Sequence, residues 1–225
     1  MQDMDDANKA WNVATAYEEY MGRWSRLLAP HFVSWLAAPP DAHWLDVGCG
    51  TGALTAAICA EARPASVTAC DSSASFIAHA RKHLVDQRVS FVVAKVGALP
   101  KHHGGFGCVT SALALNFFPE PAAAVEEMRK IAAHGGLVSA CVWDYAGRME
   151  FLRRFWDAAA AVDPRSANLD EGRRFPVCHP DALVALFHKA GLHDVAWQAL
   201  EITTRFPDFT AFWTPFLGGT GPAPT

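Results

Sequence analysis

The sequence lacks the features that mark several common classes of protein. Its six cysteines are scattered and include no C-x-x-C pair, so we expect reduced thiols that act as small apolar side chains. It has no block of lysine and arginine, and its net charge of −4 argues against a nucleic-acid-binding surface. No apolar run is long enough to cross a bilayer, and the acidic start, residues 1–6, is the reverse of a secretory signal. These absences predict a cytoplasmic protein without nucleic-acid or membrane partners.

Length and composition indicate one globular unit. A chain of 225 residues, 51% hydrophobic and 19% charged, has enough apolar side chains for one full core. We therefore predict a single domain over residues 1–225, acting as a monomer or a homodimer.

The most informative stretch is residues 43–60. Residues 43–47 predict a short buried strand, and residues 53–60 predict a helix. Between them stand three glycines at alternate positions: Gly48, Gly50 and Gly52. Glycine is needed where the backbone takes positive φ or lies against a ligand, and the helix that follows directs free N–H groups toward that ligand. A strand, a glycine turn and a helix form the nucleotide-binding corner of a doubly wound α/β sheet.

Two acidic residues accompany this corner. Asp46 stands two residues before the first glycine, and Asp71 ends a predicted second strand about twenty residues after the glycines, where a carboxylate binds both hydroxyls of a ribose. The glycines fit the dinucleotide pattern G-x-G-x-x-[GA], whereas Asp46 extends them to Asp-x-Gly-x-Gly-x-Gly. The second pattern resembles motif I of the class I S-adenosylmethionine (SAM)-dependent methyltransferases. Nicotinamide dinucleotides and SAM both carry a ribose, so Asp71 does not distinguish between these two cofactors.

Later segments favour SAM. Residues 98–100, 106–121 and 132–144 follow in the order of the later motifs of small-molecule methyltransferases similar to the ubiquinone/menaquinone C-methylases. Residues 17–25 resemble the helical lead-in of the same group. The resemblance spans roughly residues 10–217. It implies methyl transfer from SAM to a small, apolar or aromatic acceptor by in-line displacement.

The resemblance also implies a set of cofactor-binding residues. Asp46 would organise the glycine turn or bind the methionine ammonium group, Asp71 would bind the ribose, and Arg23 would bind the methionine carboxylate. The full set of expected cofactor contacts is Tyr17, Arg23, Asp46, Gly48, Gly50, Gly52, Asp71, Ser72, Lys95, Val96, Ser111, Ala112 and Leu113.

Two positions depart from the pattern of that group. Where the group has an Asp that accepts from the adenine amino group, this chain has Lys95, which has no acceptor, although Val96 still packs on the ring. The usual Phe-Asp of strand 4 is changed at Gly107. The hypothesis is weak but real SAM binding that Lys95→Asp strengthens. The alternatives are a SAM-binding member without catalytic activity and, from the glycine pattern alone, a nicotinamide-dependent oxidoreductase.

Candidates for a general base and for metal ligands are few. Asp144 follows the predicted strand 5 at the end where ligands bind, so we expect it to be the catalytic base. The neighbouring His102 and His103 belong to a polar loop, and adjacent side chains seldom face one ion. We therefore predict no metal.

The acceptor pocket is expected beyond strand 5. Residues 146–178 form an insertion that we interpret as a substrate lid, and residues 1–40 form an N-terminal helical cap. Aromatic side chains suited to an aromatic or polyketide-like acceptor cluster from the end of strand 5 through the insertion and the tail. They are Trp143, Phe151, Phe155, Trp156, Phe209, Phe212, Trp213 and Phe216.

The predicted fold is a doubly wound, mostly parallel α/β sheet of the Rossmann-like methyltransferase type. Strands are expected at 43–47, 65–70, 88–94, 106–111, 137–143 and 192–204. Helices are expected at 8–20, 24–38, 52–61, 73–85, 121–133, about 149–162 and 180–190, with a helical segment at 206–213. Gly135 and Gly136 are expected to form the turn into strand 5. The glycine- and proline-rich tail cannot form a central seventh strand, so the natural chain is expected to continue or a partner chain to fill the gap.

Overall fold

The computed structural model describes residues 17–218, so most of the predicted helix 8–20 lies outside the described residues. The described part contains one sheet of five parallel strands in the order β3-β2-β1-β4-β5. The strands are β1 His43–Val47, β2 Ser66–Asp71, β3 Val89–Val93, β4 Phe106–Ala112 and β5 Ala132–Cys141. The predicted Rossmann-like architecture is confirmed.

Helices connect and flank these strands. They are α1 Arg23–Leu36, α2 Ala53–Glu61, α3 Ala74–His83, α4 Pro121–Ile131, α5 Glu150–Val162, α6 Glu171–Arg174, α7 Pro180–Lys189 and α8 Phe209–Trp213. A π-helical turn, Glu18–Gly22, leads into α1, and a 3-10 turn, Thr214–Gly218, follows α8. No helix in this part of the chain is long and apolar enough to cross a membrane.

The alternation of side chains along β1 builds a core on each face of the sheet. Trp44 is buried on one face against residues of α1 and α2, such as Phe32 and Ile58. Leu45 points to the other face, in a core that includes Met128 of α4. Because successive strand residues point to opposite faces, one short strand anchors both helical layers.

The sheet positions a ligand site at its carboxyl edge. β1 pairs with β2 on one side and with β4 on the other, so the strand order reverses at β1. In open parallel sheets the crevice at such a reversal is where ligands bind. The glycine turn after β1 lies at this crevice.

Two predictions near β5 were wrong. β5 begins at Ala132, not at 137, and Gly135 and Gly136 lie within the strand. Pairing with β4 shifts from Phe106–Ala132 to Cys108–Leu137, so the glycines form an irregularity. Gly135 has a φ of +74°, and a Cβ on Gly136 would lie 2.9 Å from the Phe106 carbonyl oxygen. The glycines therefore bend a strand that the sequence predicted would begin only after them.

The predicted strand 6 was also wrong. Within the described residues, 192–204 form no ladder with β5 or with any other strand. Leu200, Ile202 and Phe206 are half-buried and alternate with exposed residues, and they pack on the cores. The alternation that suggested a strand is real, but it only places one side of an extended segment on the core. Pairing also needs aligned backbone hydrogen bonds, which the side-chain pattern does not report.

Candidate functional site

A cavity of about 630 Å³ lies at the carboxyl edge of the sheet, between the glycine turn, the first turns of α1 and the segments that follow β2, β3 and β4. Most of the expected cofactor contacts line it: Tyr17, Asp46, Gly48, Gly50, Asp71, Ser72, Lys95, Val96, Ala112 and Leu113. The volume suits a nucleoside-sized ligand.

The glycine turn is shaped by two different constraints. Gly48 has a φ of +74°, and a Cβ there would lie 2.5 Å from the Ala114 Cβ. Gly50 has a φ of +53°, but nothing lies within 4 Å of its would-be Cβ. Gly48 is therefore required by packing against the segment after β4, whereas Gly50 keeps the turn open beside the cavity.

Asp71 joins the glycine turn to the start of α3. Its Oδ2 accepts from the Gly50 backbone N–H at 2.9 Å, and its Oδ1 accepts from the Ser73 N–H at 2.8 Å. Burial raises the pKa of this carboxyl, while the two N–H groups oppose the rise. Each carboxylate oxygen has a further lone pair, so Asp71 can still accept from a ligand hydroxyl.

Asp46 is fully buried beneath the same turn. Its Oδ2 accepts from the Thr55 hydroxyl at 2.7 Å, and its Oδ1 has no hydrogen-bond partner among the described residues. Burial raises the pKa of Asp46 to about 7, and the nearby charge of Asp71 adds to the rise. A buried carboxylate oxygen without a partner is costly, and a cationic donor in the cavity would remove that cost. The residues present therefore fit a ligand with an ammonium group and a ribose, as SAM has.

The segment after β4 forms the wall opposite the glycine turn. Leu113 has a φ of +60°, an uncommon value for leucine, and its N–H donates to the Cys141 carbonyl at 2.7 Å. This bond continues the contact between β4 and β5 past the end of the ladder. Leu113 and Phe117 both line the cavity on this wall.

The lead-in before α1 closes one side of the cavity. Tyr17 shares a hydrogen bond of 3.0 Å with Ser25, and its ring centroid lies 5.8 Å from that of Phe76 on α3. Glu18 accepts from Thr51 of the glycine turn and pairs with Arg26 of α1. These contacts attach the lead-in directly to the glycine turn.

The loop after β3 lines the opposite end. Lys95 is exposed and Val96 is half-buried where they border the cavity. Glu127 of α4 holds this loop, because its carboxylate accepts from the backbone N–H groups of Gly97 at 2.5 Å and Leu99 at 2.9 Å. The loop therefore presents a lysine where a carboxylate was expected from the resemblance.

Four of the expected residues do not line the cavity. Gly52 packs near Ala80 of α3, and Ser111 is fully buried within β4.

The Arg23 guanidinium lies 4.4 Å from the centre of the Trp24 ring and also faces Phe206. Asp144 accepts from the N–H groups of Gly147 and Arg148, both at 3.0 Å, which is the arrangement of a turn cap. Arg23 and Asp144 therefore have structural surroundings in place of the expected ligand contacts.

Several cavity residues were not expected as ligand contacts. α1 contributes apolar side chains that its amphipathic pattern indicated only as core, and α3 contributes Phe76. The segment 117–119 borders the cavity within a stretch that the resemblance had already marked. The unexpected lining residues include Ser25, Leu28, Ala29, Phe32, Cys49, Thr51, Phe76, Leu99, Phe117, Phe118, Pro119 and Cys141.

The chain is similar to known methyltransferases. A family model described as "Methyltransferase domain" matches residues 45–136. A malonyl-[acyl-carrier protein] O-methyltransferase from Herminiimonas arsenicoxydans is 25% identical, over 97% of this chain and 79% of that protein. A demethylmenaquinone methyltransferase from Roseiflexus castenholzii is 28% identical, over 74% of this chain and 75% of that protein.

A solved structure with the same fold comes from Methanococcus maripaludis and is described as an S-adenosyl-L-methionine-dependent methyltransferase. It has a TM-score of 0.58 and 18% identity, and the match covers 82% of each chain. The chain therefore has the fold of the class I SAM-dependent methyltransferases, a methyltransferase-domain match over residues 45–136, and similarity to methyltransferases that include a demethylmenaquinone methyltransferase.

Proposed function

We propose that this methyltransferase acts on a small aromatic or apolar acceptor by in-line displacement, with SAM in the cavity beside the glycine turn. The observation that carries the proposal is the pairing of Asp46 and Asp71 at one cavity: a buried oxygen without a partner and a carboxylate with spare lone pairs. The first suits the methionine ammonium group and the second suits the ribose hydroxyls.

The remaining groups divide the cavity between the two ends of the cofactor. Ser72, Lys95 and Val96 border the end expected to hold adenine, and Ala112 and Leu113 border the end expected to hold the methionine and the methyl group. When bound, SAM supplies an already activated methyl group. The tasks left to the chain are to align the acceptor and to exclude water.

The names of the two relatives suggest different acceptors. By its name, one acts on malonyl-[acyl-carrier protein] and the other on demethylmenaquinone. The aromatic side chains around residues 145–178 and 206–216 favour the second type, because they offer flat apolar surface to a ring. The net charge of −4 supports a small molecule over nucleic acid.

A calorimetric titration of the full chain with SAM and, separately, with NADH tests the cofactor. We expect saturable SAM binding that Asp71→Asn weakens by at least about tenfold, since a charge-assisted hydrogen bond to ribose is lost. Glu61→Gln, an exposed substitution at the end of α2, is the matched control. NADH binding in place of SAM binding would refute the assignment.

Turnover of SAM to S-adenosylhomocysteine over a panel of phenols, hydroquinones and carboxylic acids tests the reaction. We expect product with an aromatic hydroxyl compound or hydroquinone. SAM binding without turnover over the whole panel would favour a non-catalytic member, for which the exposed Lys95 at the cavity is the motivating observation.

A further inference from the structure

The loop that follows β3, residues 94–99, is held by a residue that lies outside the cavity. Glu127, on α4, accepts hydrogen bonds from the backbone N–H groups of Gly97 at 2.5 Å and Leu99 at 2.9 Å. Part of this loop lines the cavity, whereas Glu127 does not. One carboxylate therefore holds a wall of the cavity from its outer side.

The shape of the loop depends on these contacts with α4. Gly97 has a φ of +94°, a conformation that favours glycine and that lies between the two bonded N–H groups. Leu99 is 5% exposed and packs in the core that includes Met128 of α4. Glu127 therefore adds a polar anchor to an apolar one, and both anchors come from the same helix.

The N–H groups of the loop divide into bonded and available ones. The Ala94 N–H donates to the Asp71 carbonyl at 3.0 Å, and two further N–H groups donate to the carboxylate on α4. The Ala98 N–H donates to the Lys95 carbonyl at 3.0 Å. The N–H groups of Lys95 and Val96 have no hydrogen-bond partner among the described residues, and these two residues line the cavity. They are the donors of the loop that remain for a ligand.

We propose that Glu127 is a positioning residue for cofactor binding, because it fixes the loop so that the N–H groups of Lys95 and Val96 meet the nucleobase. The proposal rests on the proposed function and deepens it by naming a residue that sets cofactor affinity from outside the cavity. Ring nitrogens of adenine are hydrogen-bond acceptors, so backbone donors suit them. Donors that are already held in place bind without the cost of ordering a loop.

Both oxygens of the Glu127 carboxylate are used, which makes conservative substitution informative. Oε2 accepts from Gly97 and Oε1 accepts from Leu99. A glutamine has one acceptor oxygen and an NH₂ group, so it can accept from one N–H while its own donors face the other. The adjacent Glu126 is exposed and pairs with Lys130 at 3.7 Å, so Glu126→Gln is the matched control.

Calorimetry with the full chain measures the effect on affinity. The probes are S-adenosylhomocysteine and 5′-methylthioadenosine, which carries the adenine and the ribose but no amino acid. We expect Glu127→Gln to weaken both probes by about tenfold, since the affected end of the cavity is the one that the two probes share. Glu126→Gln should leave both affinities unchanged. Unchanged affinities in Glu127→Gln would overturn the proposal.

Hydrogen exchange followed by mass spectrometry separates positioning from a purely structural role. Saturating S-adenosylhomocysteine should slow exchange in the natural chain both at the glycine turn, residues 48–52, and at the loop, residues 94–99. In Glu127→Gln with the same probe at saturation, we expect the slowing to remain at 48–52 and to be largely lost at 94–99. A purely structural role would reduce the slowing in both segments alike, and that result would overturn the proposal, as would full slowing at 94–99.

The natural chain keeps the proposal falsifiable if Glu127→Gln does not fold. S-adenosylhomocysteine that slows exchange at 48–52 but not at 94–99 would show that the loop donors do not meet the nucleobase. Failure of S-adenosylhomocysteine to bind the natural chain at all would instead refute the proposed function, so the two failures are distinguishable.

Discussion

At the scale of single residues, the proposed contact between Asp46 and the SAM ammonium group would link cofactor binding to pH. Its raised pKa, about 7, means that the carboxyl is protonated over part of the range in which SAM carries a positive ammonium group. An ammonium group binds the ionised carboxylate, so binding and proton release are coupled. We therefore expect SAM to reach its full affinity only at a pH above the pKa of Asp46.

We predict that the affinity for SAM rises between pH 5.5 and 7, by up to about tenfold per pH unit, and levels off above 7. Titration calorimetry in two buffers of different ionisation enthalpy should detect the proton released at pH 6. Asp46→Asn keeps an acceptor for Thr55 but removes the titration, so its affinity should be lower and flat over this range. A slope that persists in Asp46→Asn would assign the titration to another group.

Lys95 is the second residue whose effect can be measured directly. It borders the cavity with an exposed ammonium group where a carboxylate acceptor was expected from the resemblance. We predict that Lys95→Asp tightens SAM by several-fold, since it adds an acceptor for the adenine amino group, with an ordinary hydrogen bond as the upper bound. Lys101→Asp, in the exposed loop beyond, is the control for the change of net charge. No SAM binding by either the natural chain or Lys95→Asp would end the hypothesis.

At the scale of elements, the turn between β5 and α5 depends on Asp144. Both of its carboxylate oxygens accept backbone N–H groups, which favours a capping role over catalysis. We predict that Asp144→Ala lowers the free energy of unfolding by about 1 kcal/mol, as loss of a cap does, and leaves the pH dependence of turnover unchanged. Urea unfolding and a pH–rate profile measure the two effects. A lost pH-dependent limb with unchanged stability would restore Asp144 as the base.

The elements also show which parts of the fold the sequence predicted and why. β1, the glycine turn and α2 were predicted almost to the residue, because a buried strand, glycines at alternate positions and an apolar helix are all local signals. β5 and the segment 192–204 were not, because pairing of strands depends on neighbours distant in sequence. Gly135 looks like a stop signal in the sequence, whereas contact with β4 makes it part of a strand.

Some residues of the candidate site were likewise predicted from local sequence signals, and others were not. Asp46 and Asp71 were found because their spacing from the glycines is a property of one βαβ unit. Leu28 and Phe76 were missed as cavity residues because α1 and α3 reach the cavity only through the tertiary fold. Arg23 was predicted from the resemblance of the lead-in, which does not report side-chain direction, and the fold turns it toward Trp24.

At the scale of the whole molecule, the buried acids make stability depend on pH. The pKa values of Asp46 and Glu171 are raised to about 7 in the folded chain, above their ordinary values in an unfolded chain. Between those values the folded state binds more protons, so stability falls as pH rises toward 7 and the loss is complete above it. Asp71, whose pKa is also raised, acts in the same direction.

Other titrating groups act in a different window or with the opposite sign. Hydrogen bonds from Arg88 lower the pKa of Asp86 to about 2. The contribution of Asp86 to stability therefore changes with pH only well below pH 5. The pKa of His79 is lowered by burial and by neighbouring cations, so its contribution rises with pH near neutrality. The change in the free energy of unfolding between pH 5.5 and 7.5 therefore reports mainly on Asp46 and Glu171.

We predict that the free energy of unfolding of the ligand-free chain is lower at pH 7.5 than at pH 5.5 by about 2 to 4 kcal/mol, since each pKa unit corresponds to about 1.4 kcal/mol per group. Urea unfolding at the two pH values measures it. The double variant Asp46→Asn, Glu171→Gln should lose most of the difference while it retains the contribution of His79. Because a cationic ligand favours the ionised form of Asp46, saturating SAM should also reduce the difference in the unaltered chain. An equal pH difference in the natural chain and the double variant would show that neither acid is buried as the structure has it.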